Sequence, residues 1–272
     1  MDRRDSTLAP VLRVVTLNVW NLDGPWRQRR VELVAWLQAL EPDIVCLQEI
    51  IETADGRNQA QWIAGAAGGF HVAYAGREIR PGVQFGNAVL SRWPIESSAD
   101  HDLPHEAAEG EVQRLVIHAR TRGIDVFSTH LNWRFHDGAL RERQVMALAD
   151  VVDRSSRPEA PLPPVIAGDF NADPDSTEMR FLTGLTSLEG RSVYFQDAWR
   201  IAGGRGPGLT WDNRNPFAAA EHEPARRIDY VLVGWRRDGG AGRVESARVV
   251  CDRALTGTFA SDHFGLLVEV NE

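Results

Sequence analysis

The sequence predicts an α/β fold of two mixed sheets with helices outside, and three observations predict it. Short apolar runs alternate with stretches of helical periodicity along the chain. Hairpins, such as the one implied by "RGID" at 122–125, accompany strand–helix–strand units, which argues against a purely parallel doubly wound sheet. The length of 272 residues suits a single α/β domain spanning residues 1–272.

The elements follow in order. "LRVVTLNVW" (12–20) and "DIVCLQEI" (43–50) read as strands. Between them Leu33, Trp36, Leu37 and Leu40 fall at i, i+3, i+4 and i+7, the apolar stripe of an amphipathic helix. "NAVLSRWP" (87–94), "VQRLVIHAR" (112–120) and "IDVFSTHLN" (124–132) are three further strands with turn-rich joints. Val145, Leu148, Ala149 and Val152 mark a second helix, and the proline-rich "RSSRPEAPLPP" leads into the strand "VIAGDF". Asp175 with Glu178 three residues on resembles a capping box opening a third helix through Met179, Leu182 and Leu185. "RIDYVLVGW" and "HFGLLVEV" are the last two strands. "GGRGPG" (203–208) lacks a following GK[ST] and reads as a loop, not a phosphate cradle.

Composition narrows the chemistry. The formal charge is −8, and every basic residue is arginine, which excludes a Schiff-base or P-loop lysine. An acidic total argues against a protein whose main task is gripping a long polyanion. Cys46 and Cys251 lie in apolar runs and read as reduced core residues. There is no CxxC and no HExxH, so a bound metal would take oxygen ligands, favouring magnesium, manganese or calcium over zinc. No apolar run approaches the roughly 18–20 residues of a membrane span. The opening "MDRRDSTLAPVLRV" shows no signal-peptide pattern, and the expectation is a cytoplasmic monomer.

Polar residues end the apolar runs. They are Asn18 in "VVTLNVW", Glu49 in "IVCLQE", His130 with Asn132 in "FSTHLNW", Asp169 with Asn171 in "IAGDFN", and Asp262 with His263 in "SDHFG"; Asp229 in "RIDYVLV" joins them from inside a strand. Period-two geometry puts His130 and Asn132 on one face, Asp169 and Asn171 likewise, with Leu131 and Phe170 turned to the core. Taken singly each has an ordinary role. Asp and Asn close turns, His130 could be a satisfied core histidine, and Asp229 could pair with Arg226 or Arg227. Their co-occurrence is what points to chemistry.

The ordered set "TLNVW", "LQE", "GNAVLSR", "THLNW", "GDFNADPDS", "RIDY" and "SDH", spanning about residues 12 to 270, resembles the endonuclease/exonuclease/phosphatase superfamily. The resemblance implies a four-layer α/β/β/α sandwich, its two mixed sheets face to face with helices outside, and magnesium- or manganese-dependent phosphoester hydrolysis. It makes Glu49 the principal metal ligand, assisted by Asn18, with Asp262 near the metal. Asp169 and Asn171 would hold or activate the attacking water, and His130 would bind the scissile phosphate. His263 would be oriented by Asp229. Either Asp169 or the His263–Asp229 pair can be written as the general base.

"LQEII" and "STHLNW" depart from the abasic-site repair branch and look closer to deadenylase-like, sphingomyelinase-like and lipid or sugar-phosphate phosphatase branches. Asn132, Arg134 and Trp211 are the candidate substrate-binding residues. Trp20, Trp26, Trp133 and His136 also lie beside the motifs, though core packing is the competing role for at least half the tryptophans. Arg114 could reach a second anionic group or be a solvated strand residue. The expected substrate is a small or lipid-type phosphodiester or phosphomonoester. The alternatives are a nuclease acting on single-stranded DNA or RNA, aided by tryptophan stacking, and a catalytically silent binding module.

Overall fold

The computed structural model describes residues 10–106 and 112–272, so the reading of the first nine residues lies outside the described residues. In chain order the elements are β1 (Val11–Asn18), α1 (Trp26–Leu40), β2 (Ile44–Thr53), α2 (Gln59–Ala66), β3 (His71–Arg80), β4 (Val83–Ser91), β5 (Ile95–Asp102), β6 (Leu115–Thr121) and β7 (Ile124–His130). There follow α3 (Gly138–Ser155), β8 (Val165–Asp169), α4 (Thr177–Leu182), β9 (Gln196–Asp197), α5 (Ala198–Ala202), α6 (Pro216–Ala220), β10 (Asp229–Val233), β11 (Val244–Val250) and β12 (Gly265–Asn271). They build two six-stranded sheets, ordered β11-β12-β1-β2-β4-β3 and β5-β6-β7-β8-β10-β9. Both are mixed: β1 runs parallel to β2 and β7 to β8, while the other pairs are antiparallel.

Alternation along the central strands creates the layers. Leu12 and Val14 of β1, Ile44 and Cys46 of β2, Val165 and Ala167 of β8, and Val231 and Val233 of β10 share one core between the sheets. Their neighbours Val15, Leu17, Val45 and Leu47 pack with Leu33, Trp36 and Leu37 of α1 on the outside of the first sheet. Ile166, Tyr230 and Leu232 pack with Val145, Leu148 and Val152 of α3 outside the second. With both faces covered, these strands read as continuous apolar runs. Cys46 and Cys251 are free, buried thiols.

The inner face is graded from apolar to polar along the strands, and this positions the site. In β1 the inward row runs Leu12, Val14, Thr16, Asn18, and in β8 it runs Val165, Ala167, Asp169. Gln48 of β2 spans the sheets, accepting from Thr16 Oγ1 at 3.4 Å and donating to Ser128 Oγ of β7 at 3.2 Å. The sandwich core therefore opens at one end into a polar cleft.

Several expected boundaries differ. β2 does not stop at Ile50 but continues to Thr53, and it carries a bulge, since its register against β4 shifts between Leu47 and Ile50. β7 ends at His130, so the strand expected to reach Asn132 is two residues shorter. Ser176, not Asp175, caps α4 through Met179 N–H, and Glu178 is drawn away from capping by a buried ion pair with Arg141 at 2.8 Å. Leu185 lies beyond that helix.

Candidate active site

Three carboxylate- and imidazole-bearing residues form one row across adjacent strands. His130 ends β7 opposite Asp169 at the end of β8, and Asp169 in turn is the register partner of Asp229, the first residue of β10. Close strand approach explains "GDFN": a Cβ on Gly168 would lie 2.0 Å from Thr129 O, so only glycine lets β8 sit tightly beside β7 there. Asn171 then takes a left-handed backbone, φ 49°, and returns its Nδ2 to 3.1 Å from His130 Nε2 while also donating to Leu131 O.

The first sheet supplies the other wall. The bulge puts Glu49 at φ 62°, aiming its carboxylate into the cleft instead of along the alternating pattern. Asn18 Nδ2 donates to Glu49 Oε1 at 3.1 Å and to Asp169 Oδ2 at 3.0 Å, and Asn21 Nδ2 donates to Glu49 Oε2 at 3.1 Å. Asn18 Oδ1 accepts from Trp20 N–H, so the amide presents its donor, not its oxygen, to the acids.

His263 completes the arrangement from the loop before β12. Its Nδ1 lies 2.9 Å from Asp229 Oδ2, and its Nε2 lies 3.7 Å from Asp169 Oδ2. The arginine pairing open to Asp229 in the sequence does not form: Arg227 pairs with Asp197 at 2.7 Å and Arg226 with Glu223 at 2.9 Å. Asn215 fastens the "SDH" loop by donating to Ser261 O and Asp262 O.

Burial sets the charges. It pushes the Asp169 carboxyl up to about 7, aided by repulsion from Asp229, and the Asp262 carboxyl to about 6, aided by Glu49. Burial also opposes protonation of His263, but Asp229 and Asp169 outweigh it and hold that imidazole well above its ordinary value. His130 is pushed well below by burial, with Arg114 and His263 adding repulsion, and stays neutral.

Buried acids at one place, lacking enough cations, suit a hard divalent ion. Asp169, Asp229 and His263 offer ligand atoms within 4.8 Å of one another, and Asp229 Oδ1 is buried with no hydrogen-bond partner among the described residues. That trio is already joined through the Nδ1 contact to Asp229. Glu49 and Asp262, which repel each other across the cleft, are the other candidate oxygens; Asn18 and Asn21 donate to Glu49, and Ser261 Oγ and His263 N–H donate to Asp262 Oδ1. The donor set fits a divalent cation either way.

The cleft holds about 400 Å³. Of the expected residues, Asn18, Glu49, His130, Asp169, Asn171, Trp211, Asp262 and His263 line it, with Asp229 directly behind His263. Asn132 and Arg134 do not: Asn132 Oδ1 closes a turn by accepting from Arg134 N–H. Trp20, Trp133 and Arg114 line the cleft, whereas Trp26 and His136 lie outside it. The sequence reading missed Asn21, Asp23, Phe85 and Arg226 on the walls. It also missed Arg29, whose fully buried guanidinium donates to Val19, Trp20, Asn21, Asp23 and Ala260 carbonyls and so clips the two loops flanking the cleft. For Arg29 the one signal was its place four residues before Leu33, on the line of the apolar stripe of α1.

A mixed-sheet sandwich with acids, amides and histidines at one end defines a metal-dependent phosphoesterase class, and comparison with known proteins agrees. The sequence model of the Endonuclease/Exonuclease/phosphatase family matches residues 15–263. The chain belongs to that family, whose members are phosphoester hydrolases dependent on divalent metal. It is 29% identical over 185 residues to "Uncharacterized protein YbhP" of Escherichia coli K12, covering 61% of this chain and 69% of that protein. It is 26% identical over 225 residues to a "Putative neutral sphingomyelinase" of Caenorhabditis elegans, covering 74% of this chain and 48% of that one. Among solved structures, an endonuclease/exonuclease/phosphatase from Beutenbergia cavernae superposes with a TM-score of 0.68 at 25% identity, over 96% of this chain and 71% of the other. D. rerio TDP2 complexed with single-strand DNA product superposes at 0.72 and 18% identity, over 96% and 99%. No helix among the described residues is long and apolar enough to cross a membrane.

Proposed function

We propose that this chain hydrolyses a compact phosphodiester or phosphomonoester, of nucleotide, sugar or lipid-headgroup type, with a magnesium or manganese ion held at Glu49 and Asp262. The observation that carries this is the sign of the cleft. Asp23, Glu49, Asp169, Glu221, Glu223 and Asp262 line it against Arg114, Arg226 and the protonated His263, a net acidic surface that repels a polyanion while leaving room for one phosphate neutralised by a cation.

When bound, the cation offsets phosphoryl charge and polarises the phosphorus–oxygen bonds. The chain supplies the rest. Asn18 bridges Glu49 and Asp169 and fixes both carboxylates. Asp169, poised near 7, takes the proton of the attacking water. His263, held protonated by Asp229, donates to the phosphate oxygens instead of acting as base. Asn171, donating to His130 Nε2 and Leu131 O, fixes the neutral imidazole beside the reacting phosphate. Trp20, Trp133 and Trp211 flank the remainder of the substrate. Asn132 and Arg134, joined by a turn next to Trp133, lie outside the cleft lining.

A second reading, cleavage of single-stranded nucleic acid, is favoured by those aromatics, because bases stack on such rings irrespective of sequence. The single-strand product in D. rerio TDP2 and the sphingomyelinase name of the C. elegans relative mark the two poles of substrate size. The experiment compares small diesters, monoesters and lipid headgroup esters with oligonucleotides and plasmid at about 50 and 200 mM salt, where multi-phosphate binding collapses. Small substrates should lead, with little change between the two salts. Oligonucleotide cleavage that outruns all of them and collapses at the higher salt selects the nuclease.

A further inference from the structure

Beside His263 two side chains of the cleft wall, Trp211 and Arg226, carry N–H groups to which the hydrolytic reading gives no role. Trp211 and Arg226 face each other across a two-residue antiparallel bridge, each N–H donating to the other's carbonyl at 2.9 and 2.8 Å. Both side chains line the cleft, and both residues are more than nine-tenths buried. The Trp211 indole stands edge-on to His263, ring centroids 5.0 Å apart. Its Nε1–H and the Nε–H of Arg226 are buried with no hydrogen-bond partner among the described residues. The rest of the guanidinium is held in place: one nitrogen donates to Glu223 at 2.9 Å, and its face lies 4.2 Å from the Phe135 ring centroid. A buried N–H without an acceptor is costly, and two of them on one bridge, one belonging to a guanidinium that is itself held in place, would each be relieved by an anionic acceptor.

We propose that the Trp211–Arg226 bridge is a subsite for a second anionic group of the substrate, a phosphate or carboxylate carried on the same small molecule as the scissile phosphate. The inference rests on the phosphoesterase reading of the cleft, and it narrows the substrate to a compact molecule with two anionic groups. Glu223 moderates the subsite. It neutralises part of the guanidinium charge, so a ligand must compete with it for Arg226, and removing its charge should tighten the hold on the second anion. A merely structural Arg226–Glu223 pair predicts the opposite response, since breaking it would loosen the wall.

The test is calorimetric binding in magnesium buffer of two ligand pairs that differ only by a second phosphate. They are adenosine 5′-phosphate against adenosine 3′,5′-bisphosphate, and propyl phosphate against propane-1,3-diyl bisphosphate. The wild-type protein should prefer the doubly charged member of at least one pair by about tenfold, the scale of a charge-assisted hydrogen bond. Arg226→Gln should reduce that ratio to near one, Trp211→Phe should reduce it while keeping the ring against His263, and Glu223→Gln should raise it. If Arg226→Gln does not fold, the opposite signs expected of Trp211→Phe and Glu223→Gln decide the matter. No preference in the wild type, a preference that survives Arg226→Gln, or a Glu223→Gln ratio that fails to rise overturns the subsite. Hydrolysis measured alongside separates the two readings. Activity on phosphoesters with no binding preference removes the subsite alone, and a binding preference without any hydrolysis removes the phosphoesterase reading alone.

Discussion

Asn18 Nδ2, at the end of β1, donates to Asp169 Oδ2, at the end of β8, across 3.0 Å. One amide thus joins the two sheets at the floor of the cleft, and its second contact, to Glu49, ties the proposed metal wall to the proposed base. Asn18→Ala should therefore cost about 10–100-fold in metal affinity or kcat, the usual loss for a group that orients metal-site carboxylates. Asn18→Asp should cost more, because it sets a third carboxylate against two existing ones. Steady-state kinetics with a small phosphodiester over a range of magnesium, alongside thermal melts that confirm folding, measure both. An Asn18→Ala enzyme with wild-type kcat and metal affinity contradicts the bridging role.

Asp229 faces His263, not an arginine, and its charge keeps that imidazole protonated. Asp229→Asn should lower turnover by up to about 10⁴, as in other carboxylate–histidine pairs. It should also bring the His263 titration, followed by NMR, down towards the ordinary histidine range. An unchanged titration would mean that other charges hold the proton.

The pH response of cation binding follows from the same burial. Asp169 and Asp262 have folded values, about 7 and about 6, raised above the ordinary carboxyl range. A raised acid is protonated in the folded chain where the unfolded chain is already ionised. Without metal, stability from these groups is therefore present at low pH and is lost as pH climbs through about 6 to 7. His263, raised as well, contributes in the same direction: its share is complete below about 6.5 and is lost as pH rises from there through its folded value. A divalent cation competes with those protons. The rise in Tm on adding magnesium should be clearly larger at pH 8 than at pH 5.5. Equal shifts at both would place the cation away from these carboxyls.

Arg29 offers a test of how the loops are held. Its charge is buried, which lowers it to about 10, and its donors are spent on carbonyls of the 19–23 loop and of Ala260. Arg29→Ala leaves those carbonyls unsatisfied and should destabilise the fold by about 3 kcal/mol or more. Arg29→Lys should recover only part of this, since an ammonium cannot span the same fork of acceptors. Denaturant melts read both, and a neutral Arg29→Ala would show that water replaces the clip.

The sequence showed the central strands and the residues that end them, because both follow one physical rule. Strands covered on both faces must be apolar, so a histidine, aspartate or asparagine at their ends stands out, as His130, Asp169 and Asn18 do. What was hidden had no such contrast. β3 and β5 are edge strands with exposed faces, and "IESSADHD" carries no apolar run to find. Glu49 was found as a residue, but the bulge that aims it depends on pairing with β4, which no local pattern reveals. Asn132 lies two residues past the end of β7, where period two no longer applies, and it does not line the cleft. Asn21, Arg29 and Arg226 act from a turn, a helix and a lone bridge, where position in three dimensions alone gives them their partners.

The central claim is that Glu49 anchors a divalent cation in a cleft that hydrolyses small phosphoesters. Its most direct measurement is a magnesium titration of kcat/KM on a small phosphodiester, for wild type and Glu49→Gln side by side. Wild type should be inactive in chelator and saturate with magnesium. Glu49→Gln keeps the shape of the side chain but not its charge, and should lose at least about 10²-fold at low magnesium, recovering in part as the ion is raised. Near-wild-type activity of Glu49→Gln at low magnesium would contradict the account.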